Sequence, residues 1–270
     1  MKSATVAEIS DTTSVAQYGG KLDQIADYWN QHIHDLAIAK SPVGTQEFFQ
    51  ELDAYRFEKL DYLPRVVDFS RYRGQRLLEV GCGVGLDLAR FAKNGTITTG
   101  VDLAQVSIQL AKQNFQQQGL AGELSVMNGE ALQFPEGSFD VVYAHGVLQY
   151  TNDAHRMIQE IHRVLKPGGR AIVMVYNRCS WLNFLSMIAN VQLEHEDAPV
   201  LEKYTISELT DMLGIFSQIE IVPERFPVRT RLHGGLKGII YNDLFVNMFH
   251  LIPRPLVRRF GWHLMAFATK

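Results

Sequence analysis

Within LLEVGCGVGLDLARFA, residues 77–92, four residues have types and spacing that could do chemistry: Glu79, Gly81, Gly83 and Gly85. Alternating glycines between an apolar run and a helix-like segment leave backbone N–H groups open to a ligand. The helix start that follows adds its partial positive charge. A dinucleotide fingerprint, G-x-G-x-x-G, is not met, because counting from Gly81 puts Leu86 at the last glycine position. The acid at the strand end, Glu79, suits an ammonium group and would repel a pyrophosphate. Those residue types favour S-adenosylmethionine, whose methionine part is zwitterionic and whose sulfur is cationic.

Companion residues stand at the ends of the next strand-like segments. TITTGVDL (96–103) closes on Asp102 and Leu103, and Asp102 lies 21 residues after Gly81, where a carboxylate accepts both hydroxyls of a ribose. After ELSVMNG (123–129), Asn128, Gly129, Glu130 and the backbone of Ala131 offer partners for an adenine edge. SFDVVYAHG (138–146) brings His145 beside the glycine loop, which also contains Cys82. Singly, Asp102 reads equally well as a helix-start acid and His145 as a packed core histidine. Their shared order and spacing favour a site.

Methyl transfer is an in-line displacement at a carbon already activated by its sulfonium, so the protein mainly aligns the nucleophile and excludes water. A hydroxyl or carbon acid also needs a base, whereas a carboxylate or thiolate does not. His145 is the first candidate base, followed by Tyr150 just beyond the same strand. Tyr176 and Arg178 at the end of the fifth strand, with Tyr28 and His32 near the N-terminus, are candidate substrate contacts. His34 and EHED (194–197) are weaker candidates, and no metal is expected. If the acceptor is an anion, Arg178, Arg229 or Arg231 would orient it instead.

These residues need elements to hold them. From residue 75 strand-like and helix-like segments alternate: QRLLEVGC, TITTGVDL, ELSVMNG, SFDVVYAHG and RAIVMVYN (170–177) as strands, with helices between. Pro167–Gly168–Gly169 closes the helix over 153–165 with a turn. Beyond come a helix near 180–191, one opened by the capping box Thr205/Glu208, and strands near 218–222 and 262–269. Residues 1–73 read as an aromatic-rich helical cap, with the first fifteen or so disordered. Residues 74–270 read as the cofactor-binding domain, with a substrate-side insertion around 180–215.

Composition narrows the class. The 270 residues are 46% hydrophobic and 20% charged, those of a soluble globule, and the formal net charge is −3. Two cysteines exclude a disulfide framework and a cysteine-based zinc site. No signal peptide opens the chain, and IIYNDLFVNMFHLI is too interrupted by polar residues to span a bilayer, so a cytoplasmic location is expected. Residues 221–270 hold eight Lys/Arg against two acids, a basic end that suits an anionic substrate, a membrane surface or plain solvation. No basic, aromatic-interleaved stripe for nucleic acid is evident.

The chain resembles a class I S-adenosylmethionine-dependent methyltransferase of the small-molecule branch. LLEVGCGVGLDLARFA, GVDLAQVSIQLAK, GEALQFPEGSFDVVYAHGVLQY and IHRVLKPGGRAIVMVYN match that superfamily's successive motifs, over roughly residues 74–177. The resemblance implies a Rossmann-like α/β three-layer sandwich with a seven-stranded sheet of order 3-2-1-4-5-7-6, strand 7 antiparallel. It implies Gly81, Gly83 and Gly85 at the methionine side, Asp102 at the ribose and Glu130 at the adenine side. Asn128 stands where the family often has Asp, which shifts weight to backbone contacts there. The signature Asn/Asp-Pro-Pro-Tyr of amino-methylating nucleic-acid enzymes is absent, so the expected partner is a small-molecule acceptor, with an apolar or aromatic hydroxyl first. The alternatives are a peripheral membrane enzyme acting on a lipid or quinone, motivated by FHLIPRPLVRRFGWHL (249–264), and a catalytically silent cofactor-binding scaffold. An NAD(P)-dependent oxidoreductase is disfavoured by Glu79 and Leu86.

Overall fold

The computed structural model describes residues 19–189, 193–228 and 239–270. The segment expected to be disordered at the N-terminus lies outside them, as do Arg229 and Arg231. Seven strands follow the apolar, β-branched runs: β1 (Arg76–Val80), β2 (Ile97–Asp102), β3 (Glu123–Val126), β4 (Phe139–His145), β5 (Leu165–Tyr176), β6 (Ser217–Glu224) and β7 (His263–Thr269). They form one sheet of order β3-β2-β1-β4-β5-β7-β6. Only β7 runs against its neighbours, pairing antiparallel with both β5 and β6. This is the expected topology.

The helices α1 (Lys21–Gln31), α2 (Gln46–Lys59) and α3 (Leu63–Val66) precede the sheet. After it begins come α4 (Leu86–Lys93), α5 (Gln105–Gln117), α6 (Ala154–Val164), α7 (Trp181–Ala189) and α8 (Ile206–Met212). One face of the sheet packs α4 and α5 through Leu88, Phe91, Ile108 and Phe115; the other packs α6 and α8 through Ile158, Ile161 and Leu209. Burying such side chains supplies the main favourable term of folding, about 1.5–3 kcal/mol each. Leu60, Tyr62, Leu63, Val67 and Phe69 join the first of these layers rather than forming a core of their own. The segment around α3 is therefore anchored to the sheet's own core, while Phe48, Phe49 and Leu52 of α2 form a smaller cluster with Val106 and Leu110 of α5.

Helix starts obey local hydrogen-bond chemistry. Thr45 accepts from the Phe48 N–H, Asp153 from the Arg156 N–H, and Thr205 with Glu208 forms the expected capping box. The helical run QEFFQELDAYRFEKLDYLPRVVDF (46–69) divides after Lys59, and Pro64 opens the short α3. The turn expected at 167–169 is drawn into β5 because the chain end pairs there. Gly168 N–H donates to the Lys270 carbonyl at 2.9 Å and Lys270 N–H to the Gly169 carbonyl at 3.0 Å.

Candidate active site

A concave site opens where β1, β2, β4 and β5 end, and α1 and α2 close over it. β1 and β4 lie side by side at its floor although β2 and β3 separate them in sequence. Ligands of open α/β sheets bind at such switch points. The cavity has two halves.

The first is mainly backbone. Gly81 and Gly83 adopt left-handed φ of 71° and 52°, and a Cβ placed on Gly83 would point into open space. A Cβ on Gly81 would collide with Val147 at 2.8 Å. Gly81 and Cys82 N–H groups donate to the Val101 carbonyl, tying the loop to β2. Asp102 lines the cavity and accepts from Gly83 N–H at 2.8 Å and Ala104 N–H at 2.9 Å, which fixes the direction of its carboxylate. Leu103, Asn128 and Gly129 complete this wall, and a Cβ on Gly129 would strike Met157 at 2.7 Å. Glu79 is 4% exposed, and its Oε2 has no hydrogen-bond partner. Burial first, and then the carboxylate of Asp87, raise its pKa well above the ordinary carboxyl value. An orphaned carboxylate oxygen beside an open glycine cradle fits a ligand that is cationic at one end.

Three residues expected in this half are placed elsewhere. Gly85 caps α4 at φ 76°, where a Cβ would press on Phe115 at 3.3 Å, so it serves packing. Glu130 Oε1 accepts from the Asn152 and Asp153 N–H groups at 2.8 and 2.9 Å and from the Thr151 hydroxyl, holding the entrance to α6 instead of an adenine edge. Ala131 closes a turn onto the Asn128 carbonyl and is not in the cavity wall.

The second half is made of side chains. Trp29, His32 and Ile33 come from the cap, and Tyr150 and Tyr176 from the sheet's end. The Trp29 and Tyr150 rings meet edge to face at 5.0 Å, and the Tyr150 hydroxyl donates to that of Tyr176 at 3.3 Å. Tyr28, expected as a substrate contact, stacks behind His32 at 4.0 Å and is not in the wall. Arg178 is about half exposed and pairs with Glu208 and the Lys203 carbonyl, away from the cavity.

His145 lines the cavity, but its surroundings do not make it a base. Its Nδ1 accepts from the Arg56 guanidinium at 3.3 Å, and its Nε2 meets the Tyr62 hydroxyl at 3.2 Å. Burial, and then Arg56, push its pKa down to about 3. The ring is neutral and its Nδ1 lone pair faces the guanidinium that Asp87 holds in place, which weighs against the base role expected from its position. On its far side Tyr62 meets His263 Nδ1 at 2.6 Å, and Arg225 donates to His263 Nε2 at 3.0 Å.

Several cavity residues escaped the sequence reading. Arg56 on α2 donates to both oxygens of Asp87 on α4, which also accepts from the Tyr143 hydroxyl at 2.9 Å. Against the effect of burial, Arg56 holds the Asp87 carboxyl below its usual range. Lys59 donates to Asp35 at 2.7 Å and to Glu194 at 3.2 Å, and Arg225 donates to Glu194 at 3.3 Å. Against burial, Arg225 and Lys59 hold Glu194 well below the usual carboxylate range. No local motif marks these residues, and only an acid or base in an otherwise apolar helical face could have hinted at Arg56 and Lys59.

A family profile for a methyltransferase domain matches residues 78–173. The chain is 30% identical over 176 residues to a ubiquinone biosynthesis O-methyltransferase of Cereibacter sphaeroides, covering 63% of this chain and 67% of that protein. It is 30% identical over 156 residues to one from Coxiella burnetii, and there the match spans 58% of this chain and 59% of the relative's length. The PH0226 protein of Pyrococcus horikoshii shares the fold at TM-score 0.58 and 15% identity, over 90% of this chain and 98% of that one.

Proposed function

The chain belongs to the class I S-adenosylmethionine-dependent methyltransferases and uses S-adenosylmethionine, and from that premise we propose methyl transfer to a hydroxyl on a ring-bearing small molecule, a quinone precursor or a close analogue. S-adenosylmethionine supplies an activated methyl group when bound. Gly81, Gly83 and Glu79 would hold its amino-acid end and Asp102 its ribose. The observation that carries the acceptor reading is the continuity of the cavity: the glycine-loop wall opens directly onto Trp29, Tyr150 and Tyr176. Those rings can sandwich a flat acceptor and keep water out. The ubiquinone biosynthesis O-methyltransferase relatives support the same reading. A cytoplasmic setting and a cap spanning residues 1–73 are parts of this proposal. Labelled S-adenosylmethionine offered with catechol, aniline, benzoate and thiophenol probes tests it. Label recovered on oxygen of the catechol is the expected result, and transfer confined to nitrogen or carboxylate would overturn it.

A second observation favours a lipid-like acceptor reached from a membrane surface. On α7, Phe184, Met187 and Ile188 are exposed, as are Leu244, Met248, Leu251, Leu256 and Phe260 beyond. Trp181 joins the two stretches, its ring 6.0 Å from Phe245 and 6.2 Å from Phe249. Arg258 and Arg259 are exposed beside them and suit anionic headgroups. Among the described residues no helix is long and apolar enough to cross a membrane. Co-sedimentation with phosphatidylglycerol vesicles, lost in a Phe184→Ser/Met187→Ser variant, is the expected outcome; equal recovery without vesicles would remove this reading.

A further inference from the structure

Methylating a neutral hydroxyl releases one proton for every methyl group transferred, and His145 offers it no way out, since its other ring nitrogen meets Tyr62 and through it His263, both buried. A different set of groups runs from the cavity to solvent. His34 lines the cavity; His195, Tyr28 and Asp197 do not. The Tyr28 hydroxyl lies 2.8 Å from Asp197 Oδ1 and 3.1 Å from His195 Nδ1. His195 Nε2 lies 2.9 Å from His34 Nδ1, and His34 Nε2 lies 3.3 Å from the Lys59 ammonium.

The hydrogen positions along this chain follow from donor and acceptor capacity alone. An ionised carboxylate only accepts, so Tyr28 must give its single O–H to Asp197. Its oxygen therefore accepts, and His195 Nδ1 must carry the proton that it accepts. A neutral His195 then presents Nε2 as a lone pair, so His34 Nδ1 is protonated and donates. That leaves a lone pair on His34 Nε2 at the cavity wall, where an ammonium can only donate. Every bond points the same way, from cavity to surface. Enclosure brings the His34 pKa to about 4 and lowers that of His195 as well, so both rings are neutral at physiological pH. Burial, then the bond to Asp197, raises the Tyr28 pKa and keeps its proton on; the same bond lowers the pKa of Asp197. Asp197 is exposed and can pass a proton to water.

We propose that Lys59, His34, His195, Tyr28 and Asp197 form a directed proton relay, with His34 as the catalytic base and the others as positioning and relay residues. The inference rests on the hydroxyl reading of the acceptor above. The acceptor hydroxyl replaces Lys59 as donor to His34 Nε2; the Lys59 contact is the longest in the chain, and Lys59 keeps Asp35 and Glu194 as partners. As the acceptor oxygen gains its methyl group, its O–H bond breaks and His34 Nε2 takes the proton. His34 gives its Nδ1 proton to His195 Nε2, His195 gives its Nδ1 proton to Tyr28, and Tyr28 gives its own to Asp197 and thence to water. One proton enters and one leaves, and no charge is left in the cavity. A weak base suffices, because an oxygen that is gaining a methyl group becomes strongly acidic.

Two measurements on the full chain test this. Imidazole ¹⁵N spectra at neutral pH should show both His34 and His195 as neutral Nδ1–H tautomers, with His195 changing in Tyr28→Phe. An Nε2–H tautomer or an imidazolium at either ring in the parent overturns the relay. In turnover, Tyr28→Phe and His195→Gln should lower kcat for catechol about 10²-fold, enlarge its solvent isotope effect and leave S-adenosylhomocysteine affinity unchanged. Thiophenolate, which carries no proton to lose, should be methylated at the parent rate. Equal losses on both probes would mean a structural role only and would overturn the relay, as would undiminished catechol turnover. Correct tautomers in a protein that methylates no hydroxyl probe would overturn the acceptor reading and with it any catalytic use of the chain.

Discussion

The cofactor half of the cavity is built from backbone held by local hydrogen bonds, whereas the acceptor half is built from side chains that meet across the cap. Gly81, Cys82, Gly83 and Asp102 lie within 22 consecutive residues and fix one another through bonds of 2.8–3.0 Å. Trp29, Lys59, Tyr150, Glu194 and Arg225 come from distant segments and meet through ion pairs and ring contacts. A backbone cradle tolerates little change, because no alternative rotamer can restore it. A side-chain wall can be retuned residue by residue, which suits the half that decides the acceptor.

The largest effect should come from filling the cradle. Gly83→Val places a branched side chain at φ 52°, a conformation that β-branched residues avoid, and aims it into the open space of the cofactor half. Titration calorimetry should find no S-adenosylhomocysteine binding in a protein whose circular dichroism matches the parent. Binding near the parent affinity would mean that the ligand does not use this loop.

Next in size is Asp102→Ala. It removes charge-assisted bonds to the ribose and also strands the Gly83 and Ala104 N–H groups, so affinity should fall by about 1.5–3 kcal/mol, roughly 10- to 100-fold. Parent-like affinity would contradict the ribose assignment. On the other side of the comparison, Trp29→Ala should raise the acceptor's KM about two- to tenfold, the worth of a ring contact of about 0.5–1.5 kcal/mol. S-adenosylhomocysteine affinity should not change. If both ligands weaken equally, the two halves are not separable.

The same contrast explains what the sequence made legible. The strands, the loop and Asp102 are legible because strand periodicity and glycine spacing are local signals, whereas the sheet order followed from the family resemblance. Glu130 was placed on the adenine side by spacing, yet N–H groups at the start of α6 capture its carboxylate. His145 was located correctly, but its role depends on Arg56, 89 residues away, which no local pattern reveals. EHED stands out in the sequence only as a weaker candidate, and only the folded chain brings Glu194 to Lys59 and Arg225 and His195 to His34. A tertiary charge network leaves no period to detect.

The smallest expected effect is also the one whose two readouts move in opposite directions. Glu79 sits in the cofactor half with a buried, unpartnered oxygen, and burial raises its pKa in the folded state. For a carboxyl whose folded pKa is raised, the favourable contribution to stability is complete below the unfolded value. It is lost as pH rises through the raised folded value. At neutral pH the ligand-free protein therefore carries a cost that an uncharged side chain of the same shape would not impose. Glu79→Gln should therefore stabilise the ligand-free protein at neutral pH, read as a raised melting temperature. The gain should vanish on acidification towards the ordinary carboxyl range. The same substitution removes the negative partner of a cationic ligand group, so S-adenosylhomocysteine affinity should fall about tenfold, the effect of one charge-assisted hydrogen bond. Thermal melts over a pH series, with and without ligand, read both quantities in one protein preparation. A variant less stable than the parent at neutral pH, or one that binds as tightly, would show that Glu79 is a structural acid already satisfied by its neighbours and not a group held ready for the cofactor.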